Sequence, residues 1–126
     1  MNSEKQKTDI NQLSYDFAKR IVHLYRFLTE KAPVREYNIC NQLERAATSI
    51  GANVRESKYA QSRADFLTKM TIALKEANES IYWLSLLRDG DYISNEQAES
   101  ILNDASSIKR VLASIVKTTR ESLDKP

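Results

Sequence analysis

The chain is poor in the residues that turn and end secondary structure. Its 126 residues include only two glycines and two prolines, at positions 51, 90, 33 and 126. A β-rich or α/β domain of this length needs many more turn formers. Alanine, leucine, glutamate and lysine, which favour helices, are frequent instead. The composition therefore predicts one all-α domain, since the chain is too short for two.

Cysteine and long apolar runs are also scarce. Cys40 is the single cysteine, so no internal disulfide can form, which is typical of a reducing compartment. No run approaches the roughly 18 apolar residues that a membrane-spanning helix requires. Residues 1–9 are polar and mixed in charge, unlike a signal or transit peptide. We therefore expect a cytoplasmic protein with no membrane partner.

Neither sign of charge dominates. The 19 basic and 17 acidic residues give a formal net charge of +2. A nearly balanced chain has no global attraction to nucleic acid or to an anionic membrane. Any such contact has to depend on a local patch.

Apolar residues recur at steps of three and four, the spacing of one helix face. This pattern predicts four helices, over about residues 9–31, 36–56, 62–88 and 94–122. Short connections favour antiparallel neighbours, so we expect an up-down-up-down four-helix bundle over residues 9–123. Residues 1–8 are predicted to be frayed or disordered.

Capping residues and breakers set the predicted helix ends. Pro33 ends the first helix, and the residues 89–91, Asp-Gly-Asp, end the third. Ser62 with Asp65, and Ser94 with Gln97, are typical of helix starts. Gly51 lies inside the second helix, where a close approach to a neighbouring helix would explain its presence.

The third helix carries more apolar residues than one core requires. On a helical wheel Ile72, Trp83 and Leu86 lie opposite its core stripe, with Tyr82 near them. A helix that is apolar on opposite faces is either buried twice or meets a partner. Because tryptophan and tyrosine often anchor interfaces, we interpret these four residues as a self-association surface. In the alternative interpretation, Trp83 fills a groove between helices of its own chain.

Residues suited to catalysis or metal binding are few. His23, the single histidine, has Arg20 three residues before it, so the Glu-x-x-His pairs of di-iron bundles are absent. One cysteine and one histidine cannot build a structural zinc site. Cys40 at helical spacing is typical of a small core residue, and an enzyme dependent on it is the weakest hypothesis. We expect no catalytic residue, no metal site and no cofactor.

Basic residues are the remaining functional signal. Two sets stand out, one around the exit of the second helix and one on the fourth helix: Arg45, Arg55, Lys58 and Arg63 with Tyr59 among them, and Arg110, Lys117 and Arg120. Converging cations bind phosphates, and an aromatic ring stacks on unpaired bases. Because acidic residues are interspersed, a solvated, salt-bridged surface is the alternative interpretation.

The stretch from residue 43 to 87 resembles the four-helix-bundle proteins encoded in intervening sequences of bacterial 23S ribosomal RNA. The matching blocks are residues 45–50 (Arg-Ala-Ala-Thr-Ser-Ile), 52–54 (Ala-Asn-Val), Glu56, 60–62 (Ala-Gln-Ser), 65–67 (Asp-Phe-Leu), 72–77 (Ile-Ala-Leu-Lys-Glu-Ala) and 79–84 (Glu-Ser-Ile-Tyr-Trp-Leu). The family's Asn-Ile-Ala-Glu-Gly block reads Asn-Val-Arg-Glu-Ser here, so Arg55 and Ser57 replace small residues. The loss of that glycine affects the connection that follows.

The resemblance implies a barrel-like homo-oligomer, specifically a pentamer, as in the related accessory proteins of diversity-generating retroelements. Those relatives are thought to bind nucleic acid and a reverse transcriptase. We therefore expect a non-enzymatic oligomer that contacts RNA or DNA through repeated basic patches, since repetition strengthens weak contacts. A scaffold or accessory subunit with a protein partner and no nucleic acid is the alternative.

Two polar residues of the second helix receive a structural interpretation. Asn53 lies near the inner edge of the helix, and Glu56 follows about one turn later. Buried polar groups require hydrogen-bond partners. We expect both side chains to bond across helices or to a neighbouring subunit; direct contact with a ligand is the alternative.

Overall fold

The computed structural model describes residues 9–31 and 37–125. Helix α1 spans Ile10–Arg26 and continues as a π-helix over Phe27–Lys31. Helix α2 spans Tyr37–Ser57, α3 spans Arg63–Asp89 and α4 spans Asn95–Asp124. The four predicted helices are confirmed, and no strand occurs in these two ranges. The predictions for residues 1–8, Pro33 and residue 36 fall outside the described residues.

Side-chain contacts between successive helices show that they run antiparallel. These contacts are Tyr25–Asn41 between α1 and α2, Arg45–Glu76 and Glu56–Lys69 between α2 and α3, and Asn78–Lys109 between α3 and α4. A late residue of α1 meets an early residue of α2, and from Arg45 to Glu56 along α2 the partners on α3 move backwards from Glu76 to Lys69. Helices α1 and α4 also touch, through Arg20 and Asp104, whose charged atoms lie 2.7 Å apart. The chain is therefore an up-down-up-down bundle with α1 diagonal to α3.

Apolar side chains from all four helices fill the centre of the bundle. Phe17, Ile50, Leu84 and Leu112 are at most 1% exposed and represent the four helices in this core. Burial of each such side chain contributes roughly 1.5–3 kcal/mol. Within the described chain, no buried side-chain nitrogen or oxygen lacks a hydrogen-bond partner. The predicted apolar stripes thus meet in one continuous core.

The end of the first helix differs from the prediction of a regular helix to residue 31. The α-helical pattern stops at Arg26, and the next five residues form a π-helix. The Thr29 hydroxyl donates to the carbonyl of Tyr25 at 2.8 Å. A threonine that bonds back to this carbonyl competes with the helical amide, which bends or widens the turn.

The predicted caps of α3 and α4 are confirmed. The Ser62 hydroxyl accepts from the Asp65 amide at 3.0 Å. Ser94 and Gln97 form a reciprocal capping box, in which each side chain accepts from the other residue's amide at 3.1 Å. These bonds satisfy amides that a helix start otherwise leaves without partners.

Helix α3 ends in a left-handed turn, but the glycine does not hold the left-handed position. Gly90 has φ −86°, whereas Asp91 has φ 65°. The amides of Asp91 and Tyr92 donate to the carbonyls of Arg88 and Leu87, the pattern of a Schellman motif. Glycine usually occupies the position that Asp91 takes here.

Replacing Asp91 with glycine is expected to raise the free energy of unfolding by about 0.5–1 kcal/mol, because glycine adopts positive φ without a steric penalty. Urea denaturation followed by circular dichroism measures the change. Gly90→Ala is the control with the opposite sign, since its methyl group would lie 3.1 Å from the Leu86 carbonyl oxygen. A loss of stability in Asp91→Gly would contradict the explanation.

Gly51 faces α1, as expected for a close approach of two helices. There is nevertheless room for a methyl group at this position. A methyl group added at Gly51 would lie 3.6 Å from the backbone oxygen and hydroxyl of Ser14, an ordinary van der Waals distance. Gly51→Ala is therefore expected to stabilise the fold by about 1 kcal/mol through helix propensity. If the denaturant midpoint of Gly51→Ala falls instead of rising, α1 and α2 are too closely packed at this position to accept a methyl group.

Candidate nucleic-acid interface

The antiparallel topology brings basic residues to one end of the bundle. The end of α2, the start of α3 and the end of α4 lie together there. The cations at this end, which we call the basic end, are Arg55, Lys58, Arg63, Lys117 and Arg120, and all five are exposed. They come from three helices and one connection, so the cluster exists only once the chain is folded.

None of these five cations forms an ion pair with another described residue. The nearby acid Glu56 is paired with Lys69 at 3.1 Å, and a carboxylate oxygen of Asp65 accepts from the Gln61 amide at 3.1 Å. Two exposed acids of α4, Glu121 and Asp124, reduce the positive charge of this end without pairing. The five cations outnumber these two acids, so the net charge of the basic end is still positive.

The connection from α2 to α3 supplies an aromatic ring beside these cations. Tyr59 follows Lys58 directly, and the residue is 82% exposed. The amides of Lys58, Tyr59 and Ala60 donate to carbonyls three residues earlier, so the chain leaves α2 in a tight turn. The Ser57 hydroxyl donates to the Val54 carbonyl at 2.6 Å in this same turn. An ordered turn thus replaces the family's glycine exit.

The structure separates Arg45 and Arg110 from the basic end. The Arg45 guanidinium forms ion pairs with Glu76, at 3.1 Å, and with Glu79, so its charge is neutralised within the chain. Arg45 therefore stands apart from Arg55 and Lys58, because its carboxylate partners lie on α3, and its assignment to a phosphate-binding surface stays a prediction. Arg110 lies about 10 Å along α4 from Lys117, and it donates to Ser107 at 3.2 Å.

The surface predicted for self-association lies on the outer side of α3. Ile72, Tyr82 and Leu86, which we call the α3 face, are 37%, 57% and 37% exposed. Trp83 lies at the edge of this face and is half-buried against the core, while its indole N–H donates to Glu79 at 3.1 Å. Trp83 thus packs partly against the core of its own chain.

Sequence reasoning missed a second apolar surface, on α1. Tyr15 and Val22 are 57% and 36% exposed, and both lie on one flank of α1, roughly 120° around the helix from its buried residues. The same helical wheel that separated the two sides of α3 would have found them, because they are seven residues apart.

Asn53 and Glu56, the two polar residues of α2 with a predicted structural role, form bonds of different kinds. The Asn53 side-chain amide donates to the carbonyl of Ser49, at 2.8 Å, within its own helix. This bond differs from the predicted bond across helices. Glu56 does cross to α3, where it meets Lys69.

The side chains suited to catalysis or metal binding lie in different environments. Cys40 is 1% exposed in the core, whereas His23 is exposed on α1. Across residues 9–31 and 37–125, no three histidine, cysteine, aspartate or glutamate side chains are grouped as metal ligands require.

A hydrogen bond from Arg88 lowers the pKa of the Asp89 carboxyl, which lies at the end of the bundle opposite the basic end. No helix in the described ranges has the length and apolar character needed to cross a membrane.

Comparison with known proteins agrees with the architecture. The sequence matches the family described as 23S rRNA-intervening sequence protein over residues 6–114. A crystal structure of a protein of unknown function from the S23 ribosomal protein family of Bacteroides thetaiotaomicron is similar, with 51% sequence identity and a TM-score of 0.82. The alignment covers 88% of this chain and 98% of that one. No curated protein matches the sequence. Taken with the four-helix bundle, these matches show that the chain belongs to the 23S rRNA-intervening sequence protein family.

Proposed function

We propose that the protein is a non-enzymatic, self-associating helical bundle that binds the phosphates of RNA or DNA through its basic end. The observation that carries this proposal is that five exposed cations, none of them ion-paired with another described residue, lie at one end of the bundle on three helices and one connection. Lysine and arginine side chains without acidic partners displace the counterions of nucleic acid, which supplies most of the non-specific binding energy. Tyr59 provides a ring on which an unpaired base can stack.

Self-association is the second part of the proposal. The α3 face is supported as an interface because its apolar side chains remain exposed in the monomer. The family resemblance implies a ring, specifically a pentamer. A ring presents several copies of the basic end to one strand, so a weak contact in each copy adds to a stronger total.

Salt dependence tests the proposal. Fluorescence anisotropy of a labelled single-stranded RNA is measured with the wild-type protein between about 50 and 200 mM salt. Five phosphate contacts per copy predict a slope of about −3.5 for log K against log salt. Tyr59→Ala is expected to weaken single-stranded binding and to leave duplex binding unchanged. Retention of neither RNA nor DNA at low salt, with recovery of a protein partner instead, would overturn it in favour of the scaffold hypothesis.

A further inference from the structure

A groove opens between the start of α1 and the end of α2. It has a volume of about 210 Å³ and extends about two turns along α1, from Asn11 to Ala18. Its eight described lining residues, which define the α1–α2 groove, are Asn11, Ser14, Tyr15, Ala18, Thr48, Gly51, Ala52 and Arg55. Pockets for drug-sized ligands have about 300–1,000 Å³, so this groove has room for one smaller group.

Small residues keep the α1–α2 groove open, and an aromatic ring stands beside it. Gly51 has no side chain, and Ala18 and Ala52 end at Cβ. Ser14, which is 1% exposed, contributes to the floor. Tyr15 also lines the groove and is 57% exposed. A tyrosine ring next to an open recess provides a surface on which a second flat ring can stack.

Arg55 joins the α1–α2 groove to the basic end, because this one residue belongs to both. Its side chain is exposed and forms no ion pair or hydrogen bond with another described residue. A guanidinium in this state is available to a phosphate. A strand whose phosphate contacts Arg55 therefore has an adjoining base beside the groove.

Three polar side chains of the groove have hydrogen-bonding capacity for the edge of a base. The Asn11 side-chain amide forms no hydrogen bond with another described residue, so it can both donate and accept. The hydroxyls of Ser14 and Thr48 donate to carbonyls of their own helices, at 3.2 Å and 2.8 Å, and their oxygens can still accept. Unpaired bases present donors and acceptors on their edges, which such groups recognise.

The charge around the groove favours an anionic strand. None of the eight described residues that line it is acidic. Asp9, at the start of α1, is engaged as the helix N-cap and accepts from the Asn11 amide at 3.0 Å. A second groove, between α1 and α4, is lined by Asp16 and Asp104 and so disfavours a phosphate. The α1–α2 groove is therefore the better position of the two for a nucleotide.

We propose that the α1–α2 groove binds one unpaired base of a single strand whose phosphate contacts Arg55. This inference rests on the function proposed above and names a place for a base when the basic end holds the backbone. The base stacks on the Tyr15 ring, over Gly51, with its edge toward Asn11. A base in a duplex is already paired and stacked, so the groove selects single strands.

Ala52→Leu tests this site, because it narrows the groove and leaves every charge of the basic end in place. Ala52 is exposed and leucine also favours helices, so the variant is expected to fold. Anisotropy is measured with two labelled single-stranded DNAs of equal length, one intact and one with abasic sites in place of its bases. Ala52→Leu is expected to bind the intact strand about tenfold more weakly than the wild type does, and the abasic strand equally well.

Two further comparisons separate the loss of a base contact from a general effect of the substitution. Ala113→Leu adds the same atoms on the exposed side of α4 and should bind both strands like the wild type. Tyr15→Ala is expected to weaken binding of the intact strand alone. Tyr15→Phe should retain this binding, because stacking uses the ring and not the hydroxyl.

The outcomes distinguish this inference from the proposed function. If Ala52→Leu binds both strands as the wild type does, the groove takes no base, while phosphate binding at the basic end stands. If Ala52→Leu weakens binding of the intact and abasic strands equally, the leucine acts on the phosphate contacts and the base site is wrong. A wild type that binds neither strand at low salt would overturn the proposed function, and this inference with it.

Discussion

Reversing the charges of Lys117 and Arg120 to glutamate is expected to weaken the binding of single-stranded RNA by about 100-fold at low salt. Two charge-assisted contacts are lost, each contributing roughly 1.5 kcal/mol. The slope of log K against log salt should also become shallower by about 1.4, since each phosphate contact on a single strand contributes about 0.7. Anisotropy titrations at several salt concentrations measure both quantities.

The same helix provides a matched control. Lys109→Glu with Arg110→Glu changes the net charge by the same amount, on neighbouring exposed residues nearer the middle of α4. These two side chains bond to Asn78 and Ser107 and lie away from the basic end. Binding is expected to change much less in this variant. Equal losses in the two variants would show that net charge, and not the position of the cations, governs binding.

Replacing Leu112 with alanine is expected to cost about 3–5 kcal/mol of unfolding free energy. Leu112 is fully buried in the core, and its truncation leaves a cavity as well as losing apolar burial. Because small domains are stable by only about 5–15 kcal/mol, this loss lowers the melting temperature by roughly 10–20 °C. Thermal and urea unfolding, followed by circular dichroism, measure it.

Leu123→Ala is the matched control, since it removes the same atoms from the same helix. Leu123 is 40% exposed in the last turn of α4, so the expected cost is below about 1 kcal/mol. Both variants are compared at one protein concentration, because self-association stabilises the folded state by mass action. Similar costs at the two positions would mean that the end of α4 is packed as tightly as its centre.

The sequence by itself determined the number, type and approximate limits of the helices. Helix formation is local: residues three and four apart share a face, and a cap such as Ser94 acts on an amide three residues away. The buried position of Cys40 followed from the same spacing. Even so, the pattern ended α3 only within the segment 89–91, and it did not show that the left-handed residue there is Asp91 instead of Gly90.

Only the tertiary structure decided which cations remain available to a ligand. Arg45 and Arg55 lie on the same helix and looked equivalent in the sequence. Arg45 is neutralised by Glu76 and Glu79, which are 31 and 34 residues away and become neighbours only because α2 and α3 are antiparallel. Arg55 lies at the same end of the bundle as cations of α3 and α4 for the same reason. Ion pairs and patches depend on distances through space, which spacing along one helix does not specify.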